Sequence, residues 1–480
     1  MASAVEALIR TVVTKGATKV SEFNRSRRRD DGSPHPYLTG MHQPMDSELT
    51  LADLRIEGSI PADLNGRYIR IGPNPVEPPD PMAYHWFLGE GMVHGLKLKG
   101  GKVEWYRNRW IKSRAVSAAL GQPAAPGPRN GDLDSPNTNI IVHGGETWAI
   151  IEGGGYPVRI DKNLETIAHD PFGGTLKGSF SAHPHLDPDT GELHAICWTV
   201  GDPDTIRHVV VDASGKVSRD EPVRVNAGPM IHDCMITKNY AIILDLPVTF
   251  SMKRFIGGDV FPFAWNPKHE ARVGLLPRNG KGEDTIWCPV DPCFVFHPCN
   301  GYEQADGTIV LDVCAYRNMF AGDANQGPDT TDSRFERWII DPIRMSVERR
   351  PLDSEPQEFP RFDERLTGKP YRYAYTIGEA DHSNGALLGD TRLFKHDLVS
   401  GTKRTRNFGT ERHPGEFVFV PKSPDAAEDE GWLLGFVVDM VNDTTEFVIL
   451  NAQEFEGTPR AVVHIPHRIP AGFHGNWIAG

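Results

Sequence analysis

Four of the 19 histidines share one setting, in which apolar residues run up to the ring and a turn-forming or acidic residue follows. They are His183 in FSAHPHLDP, His232 in GPMIHDCM, His297 in CFVFHPCNGYE and His474 in AGFHGNWIAG. Four neutral imidazoles suit zinc, copper, nickel or iron, and poorly suit calcium or magnesium, which prefer oxygen. Zinc in a closed tetrahedron would make a structural site. A six-coordinate metal would leave two positions for a substrate or dioxygen. Three acids stand in apolar surroundings where a surface acid would be odd: Glu152 in WAIIEGGG, Glu358 in PQEFPRF and Glu416 in HPGEFVFV. A metal-bound imidazole commonly gives its other N–H to a carboxylate. A buried carboxylate needs a partner in any case, and an arginine would serve equally.

For these histidines to meet, the chain must bring distant segments to one point. Their separations are 49, 65 and 177 residues. Seven units spread over about 425 residues would each be about 61 long, so the gaps match roughly one, one and three units of a β-propeller. From Leu51 onward the chain repeats one rhythm. Segments such as RYIRIG, GLKLKG, TNIIVHGG, IRHVVVDASG, TIVLDVCA and EFVIL are separated by turn clusters such as LDPDTGE, DASGK, QADGT and LVSGT. The 48 glycines and 39 prolines of the 480 residues supply that punctuation. The expected class is all-β, with hairpins recurring over more than 400 residues as in a propeller, seven-bladed by the resemblance given below, and insertions such as RAVSAALG (114–121) capping one face.

The chain divides at about residue 30. Residues 1–29 hold seven basic and two acidic side chains, a local charge of +5 that leaves −18 for the remainder. Val5, Leu8, Ile9, Val12 and Val13 follow the i, i+3, i+4 pattern of an amphipathic helix. A segment 1–30 is therefore expected that lies as a basic amphipathic helix on an anionic membrane surface, packs as a helix on the domain, frays as a tail or serves as a targeting segment, followed by the propeller domain over 31–480. The net charge of −13 argues against a nucleic-acid partner. No apolar run reaches the ~20 residues that a membrane crossing needs. The six scattered cysteines read as reduced thiols of a cytoplasmic protein, peripheral to a membrane at most. Nothing points to an obligate protein partner.

Taken together, NGRYIRIGPNP, HWFLGEGMVHGLKL, SPNTNIIVHGG, FSAHPHLDP, MIHD, FHPCNGYE, EFPRFDERLTGKPYRYAY, PGEFVFVPKSP and GFHGNW resemble the carotenoid cleavage oxygenases, the family that includes lignostilbene dioxygenases and the retinoid isomerase. The resemblance implies one Fe(II) per chain on the propeller axis, held by His183, His232, His297 and His474. It implies Glu152, Glu358 and Glu416 behind three of them, and a loop and helix cap enclosing an apolar tunnel. It makes Thr138 the small residue beside an open metal position. Two departures from the family pattern, Glu90 in GEGM and Ala271 before Arg272, lie outside the metal set.

The implied reaction is scission of a carbon–carbon double bond by dioxygen to two carbonyl products, with an apolar polyene as substrate and no organic cofactor. Tunnel candidates are Phe255, Phe261, Phe263 and Trp265 from the aromatic stretch FSMKRFIGGDVFPFAW, joined by Phe87, Trp110, Tyr316 and Phe320 from family position. Stilbene-cleaving relatives place a tyrosine where this chain has Trp110, which favours a carotenoid or apocarotenoid over a hydroxystilbene. Retinoid-type isomerohydrolase chemistry and, from another class, a non-catalytic binding scaffold are the remaining alternatives.

Overall fold

Strands that stack between two neighbours are apolar on both faces, and strands at a rim alternate. Ile309–Tyr316 and Gly431–Asp439 are buried at every position, whereas Val217–Arg224 alternates along most of its length. This is why the sequence mixes continuous apolar runs with alternating ones. The computed structural model describes residues 16–30, 32–131, 133–322, 332–380 and 389–480. They form a seven-bladed β-propeller: five four-stranded sheets, one of five strands and one of six, with a two-stranded ribbon of Val248–Phe250 and Phe263–Trp265 standing apart.

Each blade is an antiparallel meander, and the turns between strands use aspartate and glycine as the sequence implied. Asp212 Oδ1 accepts from the Ser214 and Lys216 amides while Gly215 takes φ of 81°. The two ends of the chain interlock. Gly475–Ala479 is the inner strand of the first blade, paired with Gly66–Pro73. Ile56–Gly58 forms the rim of the seventh, paired with Ala461–Ile465. Apolar side chains of successive blades interdigitate: Ile196, Met235 and Phe294, from blades three, four and five, share one core cluster. Such residues contribute ~1.5–3 kcal/mol each when fully buried.

Helix is scarce. Arg114–Ala119, capped by Ser113 accepting from the Val116 amide, packs its Val116 with Trp110 and Met92. Met252–Gly257, capped by Ser251, ends at Gly258 with φ of 96°. Residues 16–26 are also helical and lie on this second helix: Asn24 and Arg28 donate to the carbonyls of Ile256 and Gly257, and Arg28 pairs with Asp259. The apolar positions Val5, Leu8, Ile9, Val12 and Val13 lie outside the described residues. Among the described residues no helix is long and apolar enough to cross a membrane. The six cysteines are free and buried.

Candidate metal centre and its cavity

One residue from each blade reaches the axis at the start of its inner strand. In blade order they are His474 before Gly475–Ala479, Thr138 before Asn139–His143 and His183 before His185–Leu186. His232 then precedes Cys234–Ile236, His297 lies within Phe294–Glu303, Glu358 within Gln357–Arg361, and Glu416 precedes Val418–Pro421. The spacing of one, one and three blades therefore holds. The local reading needs correcting: no apolar strand runs into His183, His232 or His474, which precede their strands instead. Inner strands converge at their leading ends, so a side chain there meets its counterparts from other blades.

The ligand-capable atoms of His183, His232, His297 and His474 all lie within 4.8 Å of one another, and all four rings are buried. Three rings are oriented from behind. His232 Nδ1 lies 2.5 Å from Glu152 Oε1, His297 Nδ1 2.6 Å from Glu358 Oε2, and His474 Nδ1 3.0 Å from Glu416 Oε1. A carboxylate accepts, so each Nδ1 carries the proton and each Nε2 presents a lone pair to the centre. His232 Nε2 and His297 Nε2 are thus two acceptors facing each other at 3.3 Å, and His183 Nε2 is buried without any partner. Burial, then the other three imidazoles, holds His183 well below its ordinary range. Burial, His474 and His232 do the same for His297, so neither lone pair is quenched by a proton. Converging neutral nitrogen lone pairs repel unless a cation lies between them. The donor set fits a transition-metal ion and not a hard oxygen-seeking one.

The supporting acids differ from one another. Glu152 also accepts from Trp198 Nε1 at 3.0 Å. Glu416 takes the Gly475 amide at 2.9 Å and Arg361 at 3.3 Å. Burial alone would raise Glu416, but Arg361 and then His474 outweigh it and hold it at about 2. Glu358 has no cation beside it; burial, with Glu379 second, pushes it well above the usual carboxylate range. Glu416 therefore satisfies both partner readings at once, imidazole and arginine. The fourth ring, His183, has Asp233 at 3.6 Å, beyond a hydrogen bond, and Asp233 is already engaged by His185 Nε2 at 2.9 Å and the Cys234 amide. Asp233 and Arg361 escaped the sequence reading, although Asp233 is the acid that directly follows His232.

A cavity of about 950 Å³ opens onto His232, His297 and His474. Thr138 lines it, its hydroxyl donating to Asn137 Oδ1 at 2.8 Å. Phe87, Phe255, Phe261 and Phe263 line it as expected. The other four candidates do not. Trp110 is buried beside Met92 and Val116 with its indole N–H donating to the Asn74 carbonyl, because the strand Lys102–Trp110 turns that face to the next layer. Tyr316 lies behind Phe296 and donates to Glu379. Phe320 packs behind Phe261, and Trp265, at the far end of the strand Phe263–Trp265, lies outside the lining. The aromatic wall also includes Trp198, Phe250, Phe296, Phe359 and Phe473. The last three are each the sequence neighbour of a centre residue, a signal that was available.

Residues 42–479 match the family described as retinal pigment epithelial membrane protein. The chain is 39% identical over 496 residues to a carotenoid cleavage oxygenase of Mycobacterium tuberculosis, covering 93% of this chain and 98% of that one. Among solved structures it is similar to a Synechocystis apocarotenoid oxygenase, with TM-score 0.81, 31% identity and coverage of 93% and 99%. It is likewise similar to the lignostilbene dioxygenase of Pseudomonas brassicacearum, with TM-score 0.83, 27% identity and coverage of 93% and 98%.

Proposed function

The chain belongs to the carotenoid cleavage oxygenase family and is an oxygenase; on that premise we propose that it is an Fe(II)-dependent dioxygenase cleaving one double bond of a carotenoid or apocarotenoid to two carbonyl products. The observation that carries this reading is the set of four buried imidazoles at the inner end of an aromatic cavity. Membership of an oxygenase family removes the scaffold alternative.

In this reading His183, His232, His297 and His474 hold one Fe(II), and the ion, when bound, supplies the redox chemistry that lets triplet dioxygen react with a closed-shell alkene. Glu152, Glu358 and Glu416 fix three imidazole tautomers, so the rings need no reorganisation as the metal binds. Four neutral ligands would leave the ion's positive charge undiminished, with the carboxylate of Glu416, held ionised by Arg361 and His474, compensating at one remove. Phe87, Phe261, Phe263, Phe296, Phe359 and Phe473 exclude water and hold a rigid apolar chain, so which double bond faces the centre is set by geometry. Thr138 commits its hydroxyl proton to Asn137 and so offers the cavity a small side chain that does not compete as a proton donor.

With Trp110 outside the cavity, its identity says nothing about substrate. The lining itself favours the polyene: among the described lining residues there is no tyrosine or lysine to meet a phenol. Hydroxystilbenes are the second reading, favoured by the likeness to a lignostilbene dioxygenase. Peripheral membrane contact is supported by exposed Phe23, Val200, Met252 and Ile256, two of which, Val200 and Met252, line the cavity. The segment 1–30 would then be a basic appendage and 31–480 the catalytic unit. Purified protein should contain about one iron per chain, and aerobic incubation with an apocarotenoid should bleach the polyene band and release an aldehyde. Turnover that survives complete removal of iron would overturn the reading. Faster turnover of a hydroxystilbene would move the substrate to the second class.

A further inference from the structure

A second cavity, of about 700 Å³, lies between blades three and four. Lys238 and Asn239 line it, and they follow the inner strand Cys234–Ile236 that His232 precedes, so it sits at the opposite end of the propeller from the metal centre. Its charge is the reverse of the chain's: Arg219, Lys238 and Arg278 face it against one acid, Glu192, in a protein of net charge −13. Arg278 is largely neutralised by Asp187 at 2.6 Å and Glu192 at 3.4 Å. Lys238 is exposed, and no ion pair holds it among the described residues. The carboxylate nearest to Arg219 is that of Glu221, at 4.0 Å.

Arg219 gives Nη2 to the Gly280 carbonyl, and the proton inventory behind the pocket shows that its Nε–H has no lone pair to meet. Arg278 Nη2 donates to His194 Nε2 at 2.7 Å, and His194 Nδ1 lies 3.1 Å from His208 Nε2. Burial, then Arg278, pushes His194 down to about 3, and burial, then His194, pushes His208 well down, so both rings are neutral with one proton each. His194 accepts at Nε2, so its proton is on Nδ1 and is given to His208 Nε2. The proton of His208 is then on Nδ1, which faces Arg219 Nε–H at 3.4 Å. Two donors meet and neither is accepted. His208 is fully buried, so no bulk solvent relieves it.

We propose that this pocket binds a small organic anion carrying carboxylate or phosphate groups, held by Arg219 and Lys238 against the wall made by Arg278. Cations with unspent donors in a concave site attract such groups, and charge-assisted hydrogen bonds to them are among the strongest available. The volume exceeds that of a lone inorganic ion, which favours an organic one.

The test is titration calorimetry of the full-length iron-loaded enzyme with citrate, glycerol phosphate and inorganic phosphate, each at an ionic strength held constant with KCl. Saturable binding of citrate or glycerol phosphate, tighter than that of inorganic phosphate, is expected. Lys238→Gln and Arg219→Gln should each weaken it roughly tenfold. Glu192→Gln should tighten it severalfold, and apocarotenoid turnover should be unchanged in Lys238→Gln. Lys238 is on an exposed turn, so that variant folds even if Arg219→Gln does not. The proposal is overturned if none of the three anions gives saturable binding, if inorganic phosphate binds at least as tightly as the organic anions, or if affinity is indifferent to both Lys238→Gln and Glu192→Gln.

Discussion

At the leading ends of the inner strands seven blades contribute one residue each to a buried centre, whereas at the trailing ends the same strands run into aspartate and glycine turns and a pocket of arginine and lysine. The strands are alike; their surroundings are not. At the leading ends a polar atom has no water to fall back on, so three Nδ1 atoms have a designated carboxylate and the Nε2 atoms are left for a cation. At the trailing ends solvent screens exposed charges, and a lost ion pair costs little. The oriented imidazoles of the centre are at one end, and damage there should cost far more.

The largest effect should come from truncation at Gly472. It removes His474 and the inner strand that pairs with Gly66–Pro73, so the propeller loses its closure together with a metal ligand. Soluble, folded protein by circular dichroism together with bound iron would break the contrast, because a tail of this length is ordinarily dispensable. His232→Ala should come next, with iron content falling towards zero and turnover lost while the melting temperature of the metal-free protein stays near that of the metal-free parent. Unfolding instead would mean that the leading ends carry stability as well as chemistry.

Replacing the supporting acids should be milder. Glu358→Gln and Glu416→Gln are each expected to weaken iron binding by about 10–100-fold, read by competition with a chelator. Glu416→Gln should be the worse of the two, because it also removes the buried one of the two carboxylates that pair with Arg361 and leaves it only the exposed Glu364.

Two buried glutamates sharpen the comparison through pH. Glu416, held at about 2, contributes stability that is present above its ordinary value near 4.5 and lost as pH falls towards 2. Glu379, raised to about 8 by burial despite hydrogen bonds from Ser333 and Tyr316, binds a proton in the folded state that the unfolded chain has already lost above 4.5. Its contribution therefore falls as pH rises from about 4.5 to 8, at no more than about 1.4 kcal/mol per pH unit. Chemical denaturation of Glu379→Gln should show that alkaline slope flattened and the acid limb unchanged. The smallest effect belongs to Trp110→Phe. It should cost about 1 kcal/mol for the lost bond to Asn74 and leave the preference between apocarotenoid and hydroxystilbene where it was.

The centre was legible because each of its residues is out of place locally. A histidine after GPMI or a glutamate inside WAII must be satisfied by something, and the blade count said which of them meet. Aromatic residues carry no such mark. Phe261 and Phe263 face the cavity while Trp265, two residues on, does not, and nothing in their composition separates them. Tyr316 and Phe320 failed as liners because Phe296 and Phe261 stand in front of them, which is a matter of depth and not of type. Asp233 and Arg361 went unnoticed because an acid near a turn and an arginine among acids are ordinary in sequence.

By itself, then, the order of residues determined the all-β class, the seven-fold rhythm, the four imidazoles and the three acids, because strand periodicity is local and an unpaired buried polar group is costly wherever it falls. Only the folded chain decided which aromatic side chains wall the cavity, which acid also holds an arginine, and that two neutral imidazoles behind a basic pocket leave opposing donors unsatisfied. Those outcomes depend on the twist and packing of neighbouring blades, which set side-chain direction and depth among segments far apart in the chain.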